Sequence, residues 1–194
     1  MAQMLIEKPM NYAMHIGYPT EGYKELIERL ENIKLNMKPE MHRIISVYET
    51  NEKIRRIIEG SIPKEGSYHR GSLVSIICGL DDKKSITLSA LVELFYWATA
   101  WLDDIADENT LRQNTLSPRM SHGNTVALYI SNTLYGIVFR VLYEEFKEDN
   151  KKLAELIKYF STNFHLINRA QAIDVLLSKK KVEEVTIEEY MSLI

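Results

Sequence analysis

The apolar residues of this chain recur at helical spacing over most of its length, and no segment keeps the alternating pattern of a β-strand. Glycine and proline, at 8 and 5 residues, are scarce and concentrate between the apolar segments. The pattern therefore predicts an all-α domain of long helices. The predicted helices comprise residues 21–36, 39–59, 67–80, 86–107, 122–146 and 150–180, and a last helix that begins at Thr186.

Several residues predict where these helices begin. Proline suits the first turn of a helix, so Pro39 is predicted to begin the second helix. Ser85 or Thr87 is predicted to cap the fourth helix, and the segment that begins at Thr186 has the form of a capping box. A break of the sixth helix near Phe164 is left open, and residues 109–118 are expected to form a loop.

Composition narrows the classes of protein that fit. A chain of 194 residues, 45% of them hydrophobic, can bury a sizeable core in one domain, here 1–194 with an N-terminal extension at 1–19. The net charge of −3 gives no indication of a nucleic-acid partner. The single cysteine, Cys78, is expected in the core and fits a reducing compartment. With no apolar run long enough for a membrane span and no signal-peptide pattern, a cytoplasmic protein is expected.

The end of the fourth predicted helix carries three carboxylates. Asp103 and Asp107 project from one face of it, and Asp104 lies about 100° round. Carboxylates this close repel one another unless a cation lies among them, and the helix dipole disfavours anions at this end. Oxygen ligands suit Mg²⁺, whose shell waters and substrate phosphates complete, and Arg112 offers a planar fork for phosphate oxygens. The segment indicates a magnesium–diphosphate site, with a solvated helix end as the alternative.

The order of motifs resembles that of the trans-isoprenyl diphosphate synthases, the polyprenyl synthetase family, from about residue 66 to residue 194. Each motif is short, but five occur in the family's order at compatible spacing. The resemblance implies an isoprenoid-synthase-type bundle of long antiparallel helices. The matching segments are the Glu-Leu helix at 93–98, the first aspartate-rich motif at 102–107, the segments 123–124 and 131–134, the Gln-x-x-Asp helix at 169–174 and the Glu-Glu-Tyr helix at 186–194.

The resemblance implies roles for the acidic segment and the arginine that follows it. Asp103, Asp104 and Asp107 would hold Mg²⁺ against an allylic isoprenyl diphosphate, and Arg112 would bind that diphosphate directly. The implied reaction is ionisation, in which diphosphate leaves with the help of Mg²⁺ as a Lewis acid and a carbocation forms. A dry cavity would protect that cation from water.

The same resemblance implies which residues line the cavity. Gln171 and Asp174, one helical turn apart, would face it, with Asp174 near the metal and diphosphate. Ala98 and Thr99 precede the first aspartate where the family sets the cavity floor, and their small size implies room for more than the shortest products. The aromatic side chains expected on this helix are those of Tyr96, Trp97 and Trp101.

The chain departs from the family where isopentenyl diphosphate would bind. Arg70 is retained, but Ser67 replaces a lysine, Tyr96 a histidine and Gln113 an arginine. Each lost charge-assisted contact would weaken diphosphate binding by ~1.5–3 kcal/mol. The allylic site is expected to work and the isopentenyl site to be eroded, unless nearby cations compensate. This pattern suits a relative that ionises an allylic diphosphate without extending it, such as a terpene cyclase or a pheromone-peptide prenyltransferase.

A second departure concerns the end of the chain. The sequence stops at Ile194, before the position of the family's Lys-Thr pair, and no second aspartate-rich motif follows Asp107. The bundle is therefore expected to be incomplete, with a homodimer or a complementary chain supplying the missing motif. Three functions stay open: an isoprenyl diphosphate synthase, an allylic-diphosphate-ionising relative, and a non-catalytic partner subunit of a prenyltransferase.

Overall fold

The computed structural model describes residues 20–63, 66, 68–78 and 83–191 of the chain. The predicted N-terminal extension and Ser67 lie outside these residues. Helices dominate the described part, which confirms the all-α fold class. The elements are α1 (Thr20–Tyr48), α2 (Glu52–Ser61), α3 (His69–Cys78), α4 (Lys83–Ala106), β1 (Leu111–Arg112), β2 (Thr115–Leu116), α5 (Pro118–His122), α6 (Asn124–Phe146), α7 (Asn150–Leu177), a 3₁₀ turn (Val182–Glu184) and α8 (Ile187–Met191).

The chain forms two compact units, and helices α1 and α4 contribute residues to both. The first unit contains the described residues up to Arg43 together with Ser67–Val92, and the second contains Ile44–Gly66 and Glu93–Ile194. The buried residues of the first unit mix apolar and hydroxyl side chains. They are Met37, Met41, Tyr68, Ser72, Ser75, Ser85, Thr87, Ser89, Ala90 and Leu91.

The second unit has the larger apolar core, in which α6 packs against α5 and α7. Two tryptophans of α4, Trp97 and Trp101, are each 1% exposed. Aliphatic residues of α4, α6 and the ends of α1 and α2 complete this core. The fully buried ones include Ile44, Ile45, Ile58, Leu94, Leu134, Val138, Val141 and Leu142.

Helix α1 continues through Pro39, so the predicted helix start at this residue is wrong. A proline inside a helix removes one backbone hydrogen bond and strains the preceding turn. Met37 and Met41 are buried on either side of Pro39, and their packing offsets that cost. The helix ends instead at Tyr48, and the Asn51 side chain caps α2 by accepting hydrogen bonds from the backbone N–H groups of residues 53 and 54.

Two further predictions about α4 and α3 are wrong. Helix α4 begins at Lys83, so Ser85 and Thr87 lie inside it and neither caps it. Both are buried, and the hydroxyl of Thr87 has a tertiary partner instead of a cap, since it donates a 2.8 Å hydrogen bond to Glu40. Cys78 is exposed rather than buried, because α3 ends at this residue, beyond its buried face of small residues.

The second half of the chain confirms some expected boundaries and corrects others. Helix α7 runs unbroken through Phe164, and the predicted capping box is present because Thr186 and Glu189 exchange side-chain-to-backbone hydrogen bonds of 3.1 and 3.2 Å. The predicted loop at 109–118 instead contains the antiparallel hairpin β1–β2 and the first residue of α5.

Among the described residues, two helices are long and apolar enough to cross a membrane by length and composition alone, which corrects the expectation that no segment would qualify. They are Lys83–Ala106 and Asn124–Phe146. Within the protein, 67% of the most apolar 18-residue stretch of the first helix is buried, and 50% of that of the second. Core helices of soluble proteins pass the same test, so these helices are weak evidence for a membrane span.

Candidate active site

The aspartate-rich segment forms the last turn of α4 and the residue after it, within the second unit. The three carboxylates differ in exposure. Asp104 is fully buried, the side chain of Asp103 is 32% exposed, and Asp107 faces solvent. Asp104 lies three residues after the buried Trp101, so helix geometry directs it towards the core. A fully buried carboxylate costs free energy unless a cation or hydrogen-bond donor is paired with it.

Arg112 is the partner, and its guanidinium bridges two of the aspartates. Its Nη2 lies 2.7 Å from Asp103 Oδ2 and 2.7 Å from Asp104 Oδ1, and its Nε donates a 2.8 Å hydrogen bond to Asp104 Oδ1. Burial would lower the pKa of Arg112, but the hydrogen bond and negative charge of Asp104, and hydrogen bonds with Asp103 and Tyr96, raise it above its usual range. Arg112 is therefore a permanent cation on this cluster.

A short hairpin places Arg112 against the aspartates. Leu111 pairs with Leu116 and Arg112 with Thr115, and the two residues between the strands have positive φ angles of 48° and 61°. Positive φ at both central residues is the geometry of the two-residue turns that match strand twist, and Asn114 tolerates it well. Only this local turn chemistry in the sequence could have indicated the hairpin.

Ser117 and Arg119, which follow the hairpin, hold it to the residues just after the end of α4. The buried Ser117 donates a 2.8 Å hydrogen bond to the carbonyl of Asn109. Arg119 donates a 2.7 Å hydrogen bond to the carbonyl of Glu108, and the N–H of Asn109 bonds back to the carbonyl of Asp104 at 3.0 Å. The segment from the aspartates to the hairpin is thus a closed hydrogen-bonded structure, and sequence reasoning did not identify the role of Ser117 or Arg119.

The remaining acidic residues share one electrostatic environment. Desolvation raises the pKa of Asp107 above its usual value, and the negative charges of Asp103, Asp174 and Asp104 raise it further, against the opposing effect of Arg112. Asp174, on α7, is therefore close enough for its charge to act at Asp107. The half-buried Gln171 precedes Asp174 by one turn of the same helix. That Gln171 and Asp174 line a substrate cavity stays a prediction.

The donor atoms of the cluster fit Mg²⁺. Every candidate ligand is a carboxylate oxygen, and Asp104 Oδ2 is buried with no hydrogen-bond partner in the described part of the chain. A buried carboxylate oxygen without a donor is an incomplete site that a cation could complete. Within residues 20–63, 66, 68–78 and 83–191, no three acidic, histidine or cysteine side chains converge as a ready-made metal cage. Mg²⁺ does not require one, since one or two carboxylates plus phosphates suffice.

An aromatic cluster lies one to two turns before the aspartates on α4. Phe95 contacts Tyr135 and Phe160 edge-to-face, with ring centroids 5.0 and 5.4 Å apart, and Tyr135 contacts Phe164 at 4.7 Å. The hydroxyl of Thr99 lies 2.8 Å from that of Tyr135. None of these four rings was expected at the site from the sequence. The signal was helical spacing, since Phe95 and Thr99 share one face of α4, and Phe160 and Phe164 share one face of α7.

The other predicted cavity residues divide between the core and the surface. Ala98 is fully buried beside Thr99, and Trp97 and Trp101 belong to the core. Tyr96 is half-buried and contributes to the environment of Arg112. Gln113 is exposed at the tip of the hairpin.

Arg70 is the predicted isopentenyl contact that belongs to the first unit, where it is exposed on α3. Ser67, which replaces the lysine that the family would place in the same site, lies outside the described residues. The cluster of the second unit thus brings together Asp103, Asp104, Asp107, Arg112, Tyr96 and Asp174.

An all-helical fold with paired carboxylates, a bridging arginine and adjacent aromatic rings defines the class of isoprenoid-synthase-like proteins. Comparison with known families agrees: the model of the family described as polyprenyl synthetase matches residues 51–194. The chain belongs to the polyprenyl synthetase family.

Individual relatives are distant in sequence. A geranylgeranyl pyrophosphate synthase of Eremothecium gossypii is 21% identical over 136 residues, which cover 68% of this chain and 42% of that protein. An FPP/GFPP synthase of Zymomonas mobilis superposes with a TM-score of 0.66 at 19% identity, over 84% of this chain and 64% of its own. A geranylgeranyl pyrophosphate synthetase from the archaeon Geoglobus acetivorans gives a TM-score of 0.63 at 19% identity, over 84% and 54%. These likenesses establish the fold, and the chain spans less than two thirds of each relative.

Proposed function

We propose that this chain is the part of a Mg²⁺-dependent prenyltransferase that binds and ionises an allylic isoprenyl diphosphate. The observation that carries the proposal is the cluster at the end of α4. There the fully buried Asp104 keeps one oxygen without a partner while Arg112 bridges it to Asp103. A structural ion pair would be expected to satisfy both carboxylates, whereas a metal-binding cluster keeps an oxygen available.

The residues of the cluster would divide the work of binding. Asp103, Asp104 and Asp107 would hold Mg²⁺, which when bound supplies Lewis-acid help to the leaving diphosphate. Arg112 would donate its fork of N–H groups to diphosphate oxygens. Asp174 would complete the acidic rim from α7, since its charge already acts on Asp107.

The aromatic cluster supports an apolar end of the same site. Phe95, Phe160 and Tyr135 are each less than 9% exposed, so water has little access to them. Faces of aromatic rings also stabilise nearby cations. We propose that these rings and Thr99 limit the length of the prenyl chain, because Tyr135 bonds to the small Thr99 and Phe164 packs on Tyr135.

A second candidate function is prenyl-cation formation without chain extension, as in a terpene cyclase or a peptide prenyltransferase. One observation favours it: Tyr96, which stands where the family uses a histidine, bonds with Arg112. Gln113, in place of an arginine, is turned to the exposed tip of the hairpin. Both residues give the expected isopentenyl site no cation. A non-catalytic partner subunit is the third candidate.

We propose that the chain acts in the cytoplasm and associates with a second chain, either an identical copy or a complementary one. Large apolar side chains that are exposed on α6 and α7 support a surface that a partner chain covers. Those that are 41–65% exposed are Leu128, Tyr129, Tyr143, Tyr159, Leu166 and Leu176. Singly exposed apolar side chains are common, but monomers rarely expose extended apolar patches, so these side chains support a partner surface only where they share one face. Light scattering of the purified chain should show a dimer or larger species, and a stable monomer would contradict this part of the proposal.

Product analysis tests the function. The chain would be incubated with Mg²⁺ and geranyl or farnesyl diphosphate, with and without isopentenyl diphosphate, and the products separated by mass spectrometry. Release of diphosphate that is lost in Asp103→Asn/Asp104→Asn supports ionisation at this cluster. Elongated products would select the synthase, whereas cyclised or hydrolysed products alone would select the second candidate. Absence of any product, together with absence of Mg²⁺-dependent diphosphate binding, would contradict catalysis and favour the partner subunit.

A further inference from the structure

A cavity of about 430 Å³ lies between α2 and α5, within the second unit. Its lining residues are Glu52, Lys53, Arg56 and Ile57 of α2 and His122 of α5. None of them belongs to the cluster at the end of α4, and the proposed function uses none of them. The volume lies in the range of small-molecule sites, so the chemistry of the lining decides what can bind there.

The fold brings these side chains to one place. Both α2 and α5 pack against α6. The Asn51 cap sets the start of α2, and α5 ends at Gly123, whose φ of 84° is a conformation that glycine adopts without strain. Lys53 and Arg56 lie three positions apart on α2 and therefore share one face of it. Backbone geometry thus directs two cations of α2 to the same cavity as His122.

The lining has more hydrogen-bond donors than acceptors. Glu52 is the single carboxylate among the lining residues, and Arg56 is paired with it through Nη2, which leaves the other N–H groups of the guanidinium available. Within the described part of the chain, the side chains of Lys53 and His122 form no hydrogen bond or ion pair. A cation in the first turn of a helix is unfavourable for the helix itself, so helix stability does not account for Lys53. The lining therefore favours an anion.

We propose that this cavity binds a small phosphate-bearing anion without the help of a metal ion. Arg56 offers a planar fork, Lys53 a point charge and His122 a ring N–H to separate oxygens of the same anion. A phosphate or diphosphate group has enough oxygens to use all three, whereas a carboxylate has two. Ile57 offers an apolar wall to the carbon atoms that carry the phosphate. The proposal does not rest on the proposed function, because these residues lie outside the acidic cluster and need no Mg²⁺.

Calorimetry with inorganic diphosphate in EDTA tests this cavity by itself, since without a metal ion the aspartates at the end of α4 repel diphosphate. Lys53→Gln/Arg56→Gln should lower the affinity roughly tenfold or more, because two charge-assisted contacts are lost. A matched control is Lys24→Gln/Lys147→Gln, which removes the same charge from two exposed lysines that are paired with acids elsewhere. The control should leave the affinity unchanged. Inorganic phosphate should bind more weakly than diphosphate, and acetate more weakly still.

A loss confined to Lys53→Gln/Arg56→Gln supports the site. Equal losses in both double variants would mean that diphosphate responds only to net charge, and the site would be wrong. Absence of diphosphate binding by the unmodified chain in EDTA would overturn it too, and acetate binding as tight as that of diphosphate would overturn the class of ligand. The proposed function fails on a different result, namely that Mg²⁺ adds no diphosphate binding to that measured in EDTA.

A second measurement keeps both cations of α2 in place. In the ¹³C-labelled, unmodified chain, the Cε1–H resonance of His122 can be assigned by its loss in His122→Gln. Because His122 lines the cavity, this resonance should shift as inorganic diphosphate is added in EDTA. The resonances of His42 and His165, which lie on α1 and α7, should stay in place. An unchanged His122 resonance while calorimetry records binding would place the anion elsewhere and overturn the proposal.

Discussion

The two ends of helix α4 bury polar side chains in different ways. At its beginning, Thr87 donates to Glu40, and Ser89 shares a 2.6 Å hydrogen bond with Ser75. At its end, Asp104 is buried as deeply but keeps one oxygen without a partner in the described residues. Buried groups whose partners are all internal stabilise a fold, whereas an unsatisfied one costs free energy and indicates a binding role. Helix α4 therefore has buried polar groups that stabilise the fold at one end and a buried polar group available for binding at the other.

Two acidic residues express the same difference in their pKa values. Burial would raise the pKa of Glu40, but hydrogen bonds from Arg43 and Thr87 and the charge of Arg43 hold it below its usual value. Desolvation and the charges of Asp103, Asp174 and Asp104 raise the pKa of Asp107. Glu40 is thus stabilised as an anion by the fold. Asp107 is destabilised as an anion until a cation is supplied.

The largest expected effect concerns ligand binding at the functional end of α4. Asp103→Asn/Asp104→Asn should lower the affinity for Mg²⁺ with inorganic diphosphate by at least about a hundredfold, since metal ligands and their charge are both lost. Calorimetry measures this change. Glu40→Gln is the matched control, because it neutralises a partly buried carboxylate of the first unit, and it should not alter the affinity. Equal losses in both variants would mean that the effect is one of net charge or folding.

The next effect concerns stability at the structural end. Glu40→Gln should lower the free energy of unfolding by ~1–3 kcal/mol at pH 7, because Arg43 and Thr87 lose a charged acceptor. Since the folded pKa of Glu40 is depressed, its contribution is present above the unfolded pKa of 4.5 and is lost as the pH falls through the folded value. Urea unfolding at pH 7 and near pH 3 would show the difference between variant and unmodified chain shrinking with acid. A difference independent of pH would contradict the ion-pair explanation.

Ser75 and Ser89 test whether two buried hydroxyl groups depend on each other as hydrogen-bond partners. Ser75→Ala should destabilise the chain by about 1 kcal/mol, since the buried hydroxyl of Ser89 is left without its 2.6 Å partner. Ser75→Ala/Ser89→Ala should cost less than the sum of the two single changes, because no hydroxyl of the pair remains unsatisfied. Thermal or urea unfolding of the four proteins completes this double-mutant cycle. Strict additivity would show that the two hydroxyl groups do not depend on each other.

The smallest expected effect concerns Asp107, at the functional end of α4. Because the folded pKa of Asp107 is raised above its usual 3.8, ionisation of this residue weakens the metal-free protein as the pH rises through the folded pKa. Asp107→Asn should therefore raise the melting temperature in EDTA at pH 7 by roughly 1–2 °C, a small gain because the residue is exposed. The gain should vanish below pH 3.8. Addition of Mg²⁺ and diphosphate should reverse the order of stability.

Local interactions explain which elements the sequence alone could predict. The capping box at Thr186 depends on residues three positions apart, and it forms as expected. The long apolar periodicities of α4, α6 and α7 likewise predict helices over nearly their true ranges. The start expected at Pro39 did not occur, because burial of Met37 and Met41 outweighs a local cost that sequence rules treat as decisive.

The candidate site divides along the same line. The spacing of Asp103, Asp104 and Asp107 on one helix end, and their oxygen chemistry, are properties of the sequence, because a helix determines the direction of each side chain. Which carboxylate is buried depends on how the end of α4 packs. The contact of Arg112 with Asp103 and Asp104 depends on the hairpin and its attachment to the residues just after α4. The association of Asp174 with Asp107 likewise depends on the packing of α7. Asp174 is far from Asp107 in the chain, and Arg112 reaches Asp103 and Asp104 only because the intervening segment folds back as a hairpin, so the tertiary structure decides these interactions.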